Sequence, residues 1–385
     1  MKEKISAAAY ADTKPHYEVL NGFRGVAALM VVWYHIFESF ATSQLDQVIN
    51  HGYLAVDFFF ILSGFVITYA YDDRFGRGGM SALAFIKRRI IRLHPMVILG
   101  AVLGGLLFYT QGCEFWEVSR IAVGTFLVSL LLHLFLLPVV PGSPYEVRGI
   151  GEMFPLNGPA WSLFYEYVGN LLYVLILRKL PTILLSVFVG LMGVLLFWQS
   201  VYGVLGGVGF GFALNEEGIL GGPLRLLFSF SAGLLLARFM RVHKGFSLSY
   251  AFLIGSLLII LICALPRITM DAPVEGTFSW NGLYEALCVL FVFPFIVNIG
   301  ANERIENPFL LRICRFLGDI SYPLYIVHYP FLYLYFAWVK NNEHTFLSSI
   351  HGALALYFGC IILAYISLKV YDIPVRKWLT NKWLR

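Results

Sequence analysis

Charge is what this chain has least of. Of its 385 residues only 13% are Asp, Glu, Lys or Arg, while 59% are hydrophobic. A soluble domain carries about 25% charged residues, so half that share calls for a solvent other than water. The net charge of +5 does not point to nucleic acid, because the basic residues sit in short loops between apolar blocks. That is the distribution membrane orientation requires. Cysteine is also scarce: Cys113, Cys263, Cys288, Cys314 and Cys360 stand singly, and no two form a C-x-x-C pair. This excludes the usual zinc and dithiol spacings and leaves them as small apolar fillers. No metal is expected.

Other signatures are missing too. There is no Walker A loop, no G-x-S-x-G elbow, no H-E-x-x-H, no heptad pattern and no internal repeat. The string GVGFGF at 207–212 lacks the strand-to-helix setting of a dinucleotide fingerprint. Residues 1–20 are polar and hold no apolar core of a cleavable signal, so the first apolar block is expected to act as its own insertion signal.

What is present is a series of apolar stretches. A spanning helix needs about 20 mostly apolar residues. Eleven stretches qualify: 22–41, 53–71, 94–110, 121–138, 160–177, 181–199, 223–240, 246–265, 281–300, 319–338 and 346–371. The expected fold is all-α, a polytopic transmembrane helix bundle. Residues 1–20 form a cytoplasmic N-terminal tail, 21–378 a single membrane domain, and 379–385 a cytoplasmic C-terminal tail. Lys2, Lys4 and Lys14 precede the first stretch; Arg74, Arg77, Lys87, Arg88, Arg89 and Arg92 follow the second; Arg178 and Lys179 follow the fifth. Arg238, Arg241 and Lys244, then Arg304, Arg312 and Arg315, and finally Arg376, Lys377, Lys382 and Arg385 continue the pattern. Positive residues mark the cytoplasmic side and place both termini there. That demands an even number of crossings, and eleven is odd.

The conflict lies between residues 92 and 178. Segment 121–138 is short and carries His133, and 138–159 holds five prolines and four glycines. Reading part of 111–160 as re-entrant or interfacial gives ten full spans; the alternative is that Arg178 and Lys179 break the charge rule. Non-helical backbone at membrane depth is tolerated only where it lines a cavity or packs on protein. The stretch 138–160 is therefore a candidate wall of a site.

Ionisable groups inside spans cost a few kcal/mol each and are functional hypotheses by default. Arg24 opens the first span and His35 follows eleven residues later. Three helical turns place both on nearly one face, about 16 Å apart along the axis. Glu38 lies at i+3 from His35, within reach of the imidazole. Histidine suits proton transfer near neutral pH; the plainer alternative is a packed ring donating to a carbonyl. Asp57 faces a run of Phe and must be protonated or paired, with Arg24 or His35 as partners. Ser63 and Gly64 either make a close helix contact or line a cavity. Arg89 and Arg92 are i, i+3 and form a fork for phosphate oxygens, or simple positive flanking. Trp161, Ser162 and Glu166 open a later span; the Trp suits an interfacial anchor, but the Glu has apolar neighbours. Ser321, Tyr322, Tyr325 and His328 fall near one face of the tenth stretch, and Asp372 with Arg376 forms an i, i+4 pair.

Six strings carry a resemblance: FRGVAALMVVWYH, GYLAVDFFFILSGFVI, RRIIRLHP, WSLFYE, LGDISYPLYIVHYP and YDIPVRK. In this order and spacing, from Leu20 to about Trp378, the chain resembles the acyltransferase-3 family of membrane O-acyltransferases. The resemblance implies about ten spans and transfer of an acyl group, usually acetyl, from cytosolic acyl-CoA to an acceptor hydroxyl. Acceptors in the family are commonly sugars of surface polysaccharides, lipid-linked glycans or peptidoglycan; some members act on macrolides. The family's essential histidine maps onto His35 and its first-span arginine onto Arg24. Its Arg-x-x-Arg pair maps onto Arg89 and Arg92 at the CoA end, and its Ser-Leu-x-x-Glu element onto Ser162, Leu163 and Glu166. Two departures are Asp372, where Glu is usual, and the expected lack of an esterase-like domain.

The expected mechanism puts CoA phosphates near Arg89, Arg92 and Arg24, and His35 as general base or transient acyl carrier. Glu166 or Asp57 would orient the imidazole. Tyr325 and His328 would bind the acceptor or serve the oxyanion, supported by Ser63, Trp161, Ser162 and Tyr322. The expected partners are a carbohydrate or lipid-linked glycan and the lipid bilayer, and the expected place is a bacterial inner membrane. Rival readings are a transporter or flippase, which would favour inverted repeats, and a non-enzymatic scaffold.

Overall fold

The computed structural model describes residues 17–43, 45–76, 79–242, 250–269 and 273–384. Lys2, Lys4, Lys14, Arg77 and Lys244, and most of the predicted N-terminal tail, lie outside them. Helices dominate: α1 (Glu18–Glu38), α2 (Ala55–Gly76), α3 (Ala82–Leu107), α4 (Val123–Leu134), α5 (Ala160–Leu175), α6 (Thr182–Tyr202) and α7 (Glu216–Val242) form the first half. Then come α8 (Ala251–Ala264), α9 (Trp280–Leu287), α10 (Phe293–Asn302), α11 (Pro308–Asn341), α12 (Phe346–Ile366) and α13 (Ile373–Trp383). Among the described residues there are no strands, only isolated bridges at Cys113–Trp116 and Glu152–Ala213.

Eight of these helical stretches are long and apolar enough to cross a membrane. With that many, the chain is an integral multi-pass membrane protein. Segment 121–138 contracts to the 12 residues of α4, and the described part of 246–265 to the 14 of α8, both shorter than a usual span; 246–249 lie outside the described residues. The tenth stretch is instead part of the 34-residue α11, whose Arg312, Arg315, Asp319, Lys340 and many tyrosines lower its mean hydropathy. The last stretch runs on through α13 to Trp383, past the predicted end of the membrane domain.

Helix starts follow local chemistry. Ser81 accepts from the Ala84 amide, Asn307 from Phe309 and Leu310 ahead of Pro308, and Thr345 pairs with Ser348 in a capping box. The core forms where α11 packs along α1 and α2 along α7. The α2–α7 crossing is reciprocal: a Cβ on Gly64 would collide with the Phe230 carbonyl, and one on Gly233 with the Ile61 carbonyl. Small residues let membrane helices approach this closely.

Prolines explain two further features. Segments Cys288–Val292 and Ser367–Asp372 widen to π geometry just ahead of Pro294 and Pro374. A proline ring clashes with the carbonyl four residues back, and a local π turn relieves it. In α11, Pro330 has no N–H to give the Ile326 carbonyl; Asn157 Nδ2 donates to that oxygen at 2.9 Å instead. Gln111 Nε2 likewise donates to the Pro330 carbonyl at 2.7 Å. Two connecting segments are thereby fastened to α11.

Candidate active site

Two cavities lie end to end inside the bundle. The first, about 280 Å³, is lined by Arg24 of α1, Ser63 of α2, Arg89 and Arg92 of α3, Ser162 and Glu166 of α5, and Ser321, Tyr322 and Tyr325 of α11. The second, about 360 Å³, is lined by His35 and Glu38, by Trp161, Tyr325, Tyr329 and Tyr333, and by Ile150, Glu152, Gly158 and Pro159 from the proline-rich stretch. Val56 and Tyr325 line both. The non-helical segment predicted to wall a site does so.

In the first cavity every arginine is held. Arg24 Nε donates to Ser321 Oγ at 2.7 Å and its Nη2 to the Gly318 carbonyl at 2.6 Å. Arg89 Nη2 meets Glu166 Oε1 at 2.7 Å, and Ser63 Oγ donates to the same oxygen at 3.1 Å. Arg92 lies over the Tyr322 ring at 5.9 Å, and the Tyr322 hydroxyl is tied to the Leu93 carbonyl at 2.5 Å. Three guanidiniums thus converge on one apolar-walled chamber, a setting suited to phosphate oxygens. Ser63 and Gly64 do both things expected of them, the Ser on the cavity and the Gly on α7.

In the second cavity, His35 Nδ1 lies 2.8 Å from Glu38 Oε2. The edge of the imidazole meets the Tyr329 ring, centroids 4.7 Å apart, and the His328 ring stands at 5.5 Å. His328 does not line either cavity. Its Nδ1 is tied to the Leu324 carbonyl at 3.0 Å and its Nε2 is buried without a hydrogen-bond partner. The Tyr325 hydroxyl pairs with Ser162 Oγ at 2.8 Å, where the cavities meet.

Three expected roles do not fit, the first being that of His328, which lines neither cavity. Glu166 belongs to Arg89 and Ser63, not to His35. Asp57 is bound to Arg225 of α7 at 2.6 Å, both side chains almost wholly buried, with Ser229 at 3.3 Å. Arg225 also reaches the Phe210 and Tyr53 carbonyls, at 2.7 and 3.0 Å. Asp57 therefore clamps α2 to α7, and neither Arg24 nor His35 is its partner. The carboxylate that holds the imidazole is Glu38. The pair Asp372–Arg376 forms at 2.9 Å as the spacing predicts. Among the described residues no group of three His, Cys, Asp or Glu side chains could hold a metal.

Sequence reasoning missed Glu152, Arg148, Tyr333 and Arg225. Glu152 is 7% exposed, its carboxylate bonded by the Tyr333 hydroxyl and by Tyr329 at 3.3 Å. Arg148 lies 3.5 Å from the centre of the Tyr333 ring. The usable signal was an acid and a base within a stretch already suspected of lining a cavity.

A family model described as an acyltransferase domain matches residues 17–369. A Rhizobium radiobacter protein named protein 2 in picA locus is 36% identical over 161 residues, 40% of this chain and 79% of that protein. A Staphylococcus aureus (strain COL) protein, provisionally named an O-acetyltransferase, is 26% identical over 375 residues, 93% of this chain. The chain spans only 57% of that relative's length. Acyltransferase MdmB of Streptomyces mycarofaciens is 25% identical over 333 residues, 80% of this chain and 77% of that protein. No solved structure matches. The family match runs through both cavities and takes in every residue named in them, so the chain belongs to the acyltransferase-3 family.

Proposed function

We propose that this protein moves an acyl group, acetyl first of all, from cytosolic acyl-CoA to a hydroxyl of a carbohydrate or lipid-linked glycan at a bacterial inner membrane. The proposed topology has ten crossings, the eight long apolar stretches plus α8 and α11, with both termini cytoplasmic. The observation that carries the reading is the pairing of an arginine-lined chamber with a histidine-bearing one, joined at Val56 and Tyr325. Relatives named as an O-acetyltransferase and an acyltransferase support it.

The chemistry follows from the ring nitrogens. Glu38 accepts from Nδ1–H of His35, which leaves the Nε2 lone pair free; the tautomer is assigned by that bond. His35 Nε2 takes the acceptor hydroxyl proton as its oxygen attacks the thioester carbon. Collapse of the tetrahedral adduct forms the ester and breaks the C–S bond, and the imidazolium returns its proton to the leaving thiolate. Arg24, Arg89 and Arg92 hold the CoA phosphates. Tyr325, its hydroxyl at the junction, is the donor best placed for the developing oxyanion.

The test is His35→Ala in detergent-purified protein. Acetyl transfer from acetyl-CoA should fall by at least roughly 100-fold, the low end for a general base, while CoA binding measured by calorimetry stays. Transfer at the wild-type rate would overturn the assignment.

A further inference from the structure

Glu152 is a buried carboxylate with no counter-ion in contact. Arg148 lies over the ring of Tyr333, whose hydroxyl bonds the carboxylate, but makes no ion pair with it. The surrounding structure holds it in place. Met153 donates to the Phe212 carbonyl at 2.9 Å and Val139 to the Met153 carbonyl at 2.9 Å, pinning the strand of chain that carries it. The two carboxylate oxygens differ. Oε2 takes the short Tyr333 bond, whereas Oε1 has only the 3.3 Å contact with Tyr329. Oε1 faces Gly158, where a Cβ would come within 2.8 Å of it. Tyr329 touches both this carboxylate and the His35 ring, so the two sit on one wall of one chamber. Much of the remaining lining is aromatic, with Phe115, Trp116, Trp161, Phe212 and Phe336, beside aliphatic side chains and Arg225.

We propose that Glu152 selects the acceptor: Oε1 receives a hydrogen bond from a second hydroxyl of the molecule whose reacting hydroxyl meets His35, which restricts acceptors to polyols such as sugars. The inference rests on the acyl-transfer reading above. An aromatic wall takes the C–H face of a sugar ring, and a carboxylate with a spare lone pair takes one of its hydroxyl donors. A site built to bond a hydroxyl discriminates strongly against an analogue that lacks it, since the buried acceptor is then left unpaired.

The experiment uses the full chain in detergent with acetyl-CoA as donor. Methyl β-D-glucopyranoside serves as a polyol probe, 1-butanol as a mono-ol, and water as the third acceptor through thioester hydrolysis. Wild type should favour the glucoside over 1-butanol in kcat/KM by at least tenfold. Glu152→Gln should erase most of that preference, by raising the glucoside KM more than it lowers kcat. Tyr333→Phe, which loosens Oε2 but keeps the carboxylate, should fall between. Unchanged preference in Glu152→Gln, or no glucoside transfer by a wild type that hydrolyses acetyl-CoA, overturns the assignment of Glu152 alone. A wild type that consumes no acetyl-CoA with the glucoside, 1-butanol or water overturns the acyl-transfer reading and this inference with it.

Discussion

An imidazole whose Nδ1 is bound to a carboxylate is fixed in one tautomer and one orientation, and the cation it forms is stabilised. Glu38 supplies both effects to His35 from one turn away on the same helix. In Glu38→Gln the amide can still bond the ring but cannot stabilise the imidazolium. We expect kcat to drop about 100-fold, a typical share for acid–base assistance, with the acetyl-CoA KM within twofold of wild type in steady-state assays. A fall in donor affinity with kcat intact would place Glu38 elsewhere in the cycle. Asp57 shows another case, since a buried pair such as Asp57–Arg225 costs about 3 kcal/mol or more to break by its effect on folding alone. These two acids also show what the sequence can disclose. The Glu38 contact was legible because helical spacing fixes i, i+3 neighbours. Asp57 was legible as a group needing a partner, but Arg225 lies 168 residues away and no local rule links them. Glu152 was hidden more deeply, because the proline-rich stretch has no period from which to read a facing direction.

At the scale of elements, glycine sets how near α2 and α7 can come, and this crossing holds Ser63, Asp57 and Arg225 in register. The same two helices carry Val56 and the clamp behind it, so their spacing fixes the junction of the cavities. Gly233→Leu should therefore destroy folding. We expect loss of the monodisperse peak in size-exclusion chromatography of the detergent-solubilised protein. Gly190→Leu on α6, where nothing lies within 4 Å of an added Cβ, should elute as wild type. Equal elution of both variants would show that the crossing tolerates repacking. Helix number was readable because apolar runs of about 20 residues have few other uses. Helix ends were less so: Pro308 begins a 34-residue helix well before the apolar part of α11, because Asn307 caps it there. The π turns ahead of Pro294 and Pro374 could be suspected from proline alone, yet Pro95, Pro223 and Pro323 sit in α-helices without one. The packing around each proline decides between these outcomes.

For the whole molecule, the proposed reaction would put two reactants of unlike chemistry in separate chambers. One chamber gathers three guanidiniums and Glu166 near helix ends that charge patterning assigns to the cytoplasm, and the other gathers aromatic rings, Glu38, Glu152, Arg225 and the imidazole. A thioester bound in the first must reach past Val56 and Tyr325 to meet His35 in the second. Blocking that junction should divide binding from chemistry. In Val56→Trp the larger side chain fills the passage while Arg24, Arg89 and Arg92 keep their partners. CoA affinity by calorimetry should stay within about threefold of wild type, and acetyl transfer should fall roughly 100-fold, as displacement of the reacting atoms by about 1 Å is enough for such a loss. Retained CoA binding also certifies that the variant is folded. If transfer instead continues at the wild-type rate, the thioester takes another route, and the two cavities do not form one path.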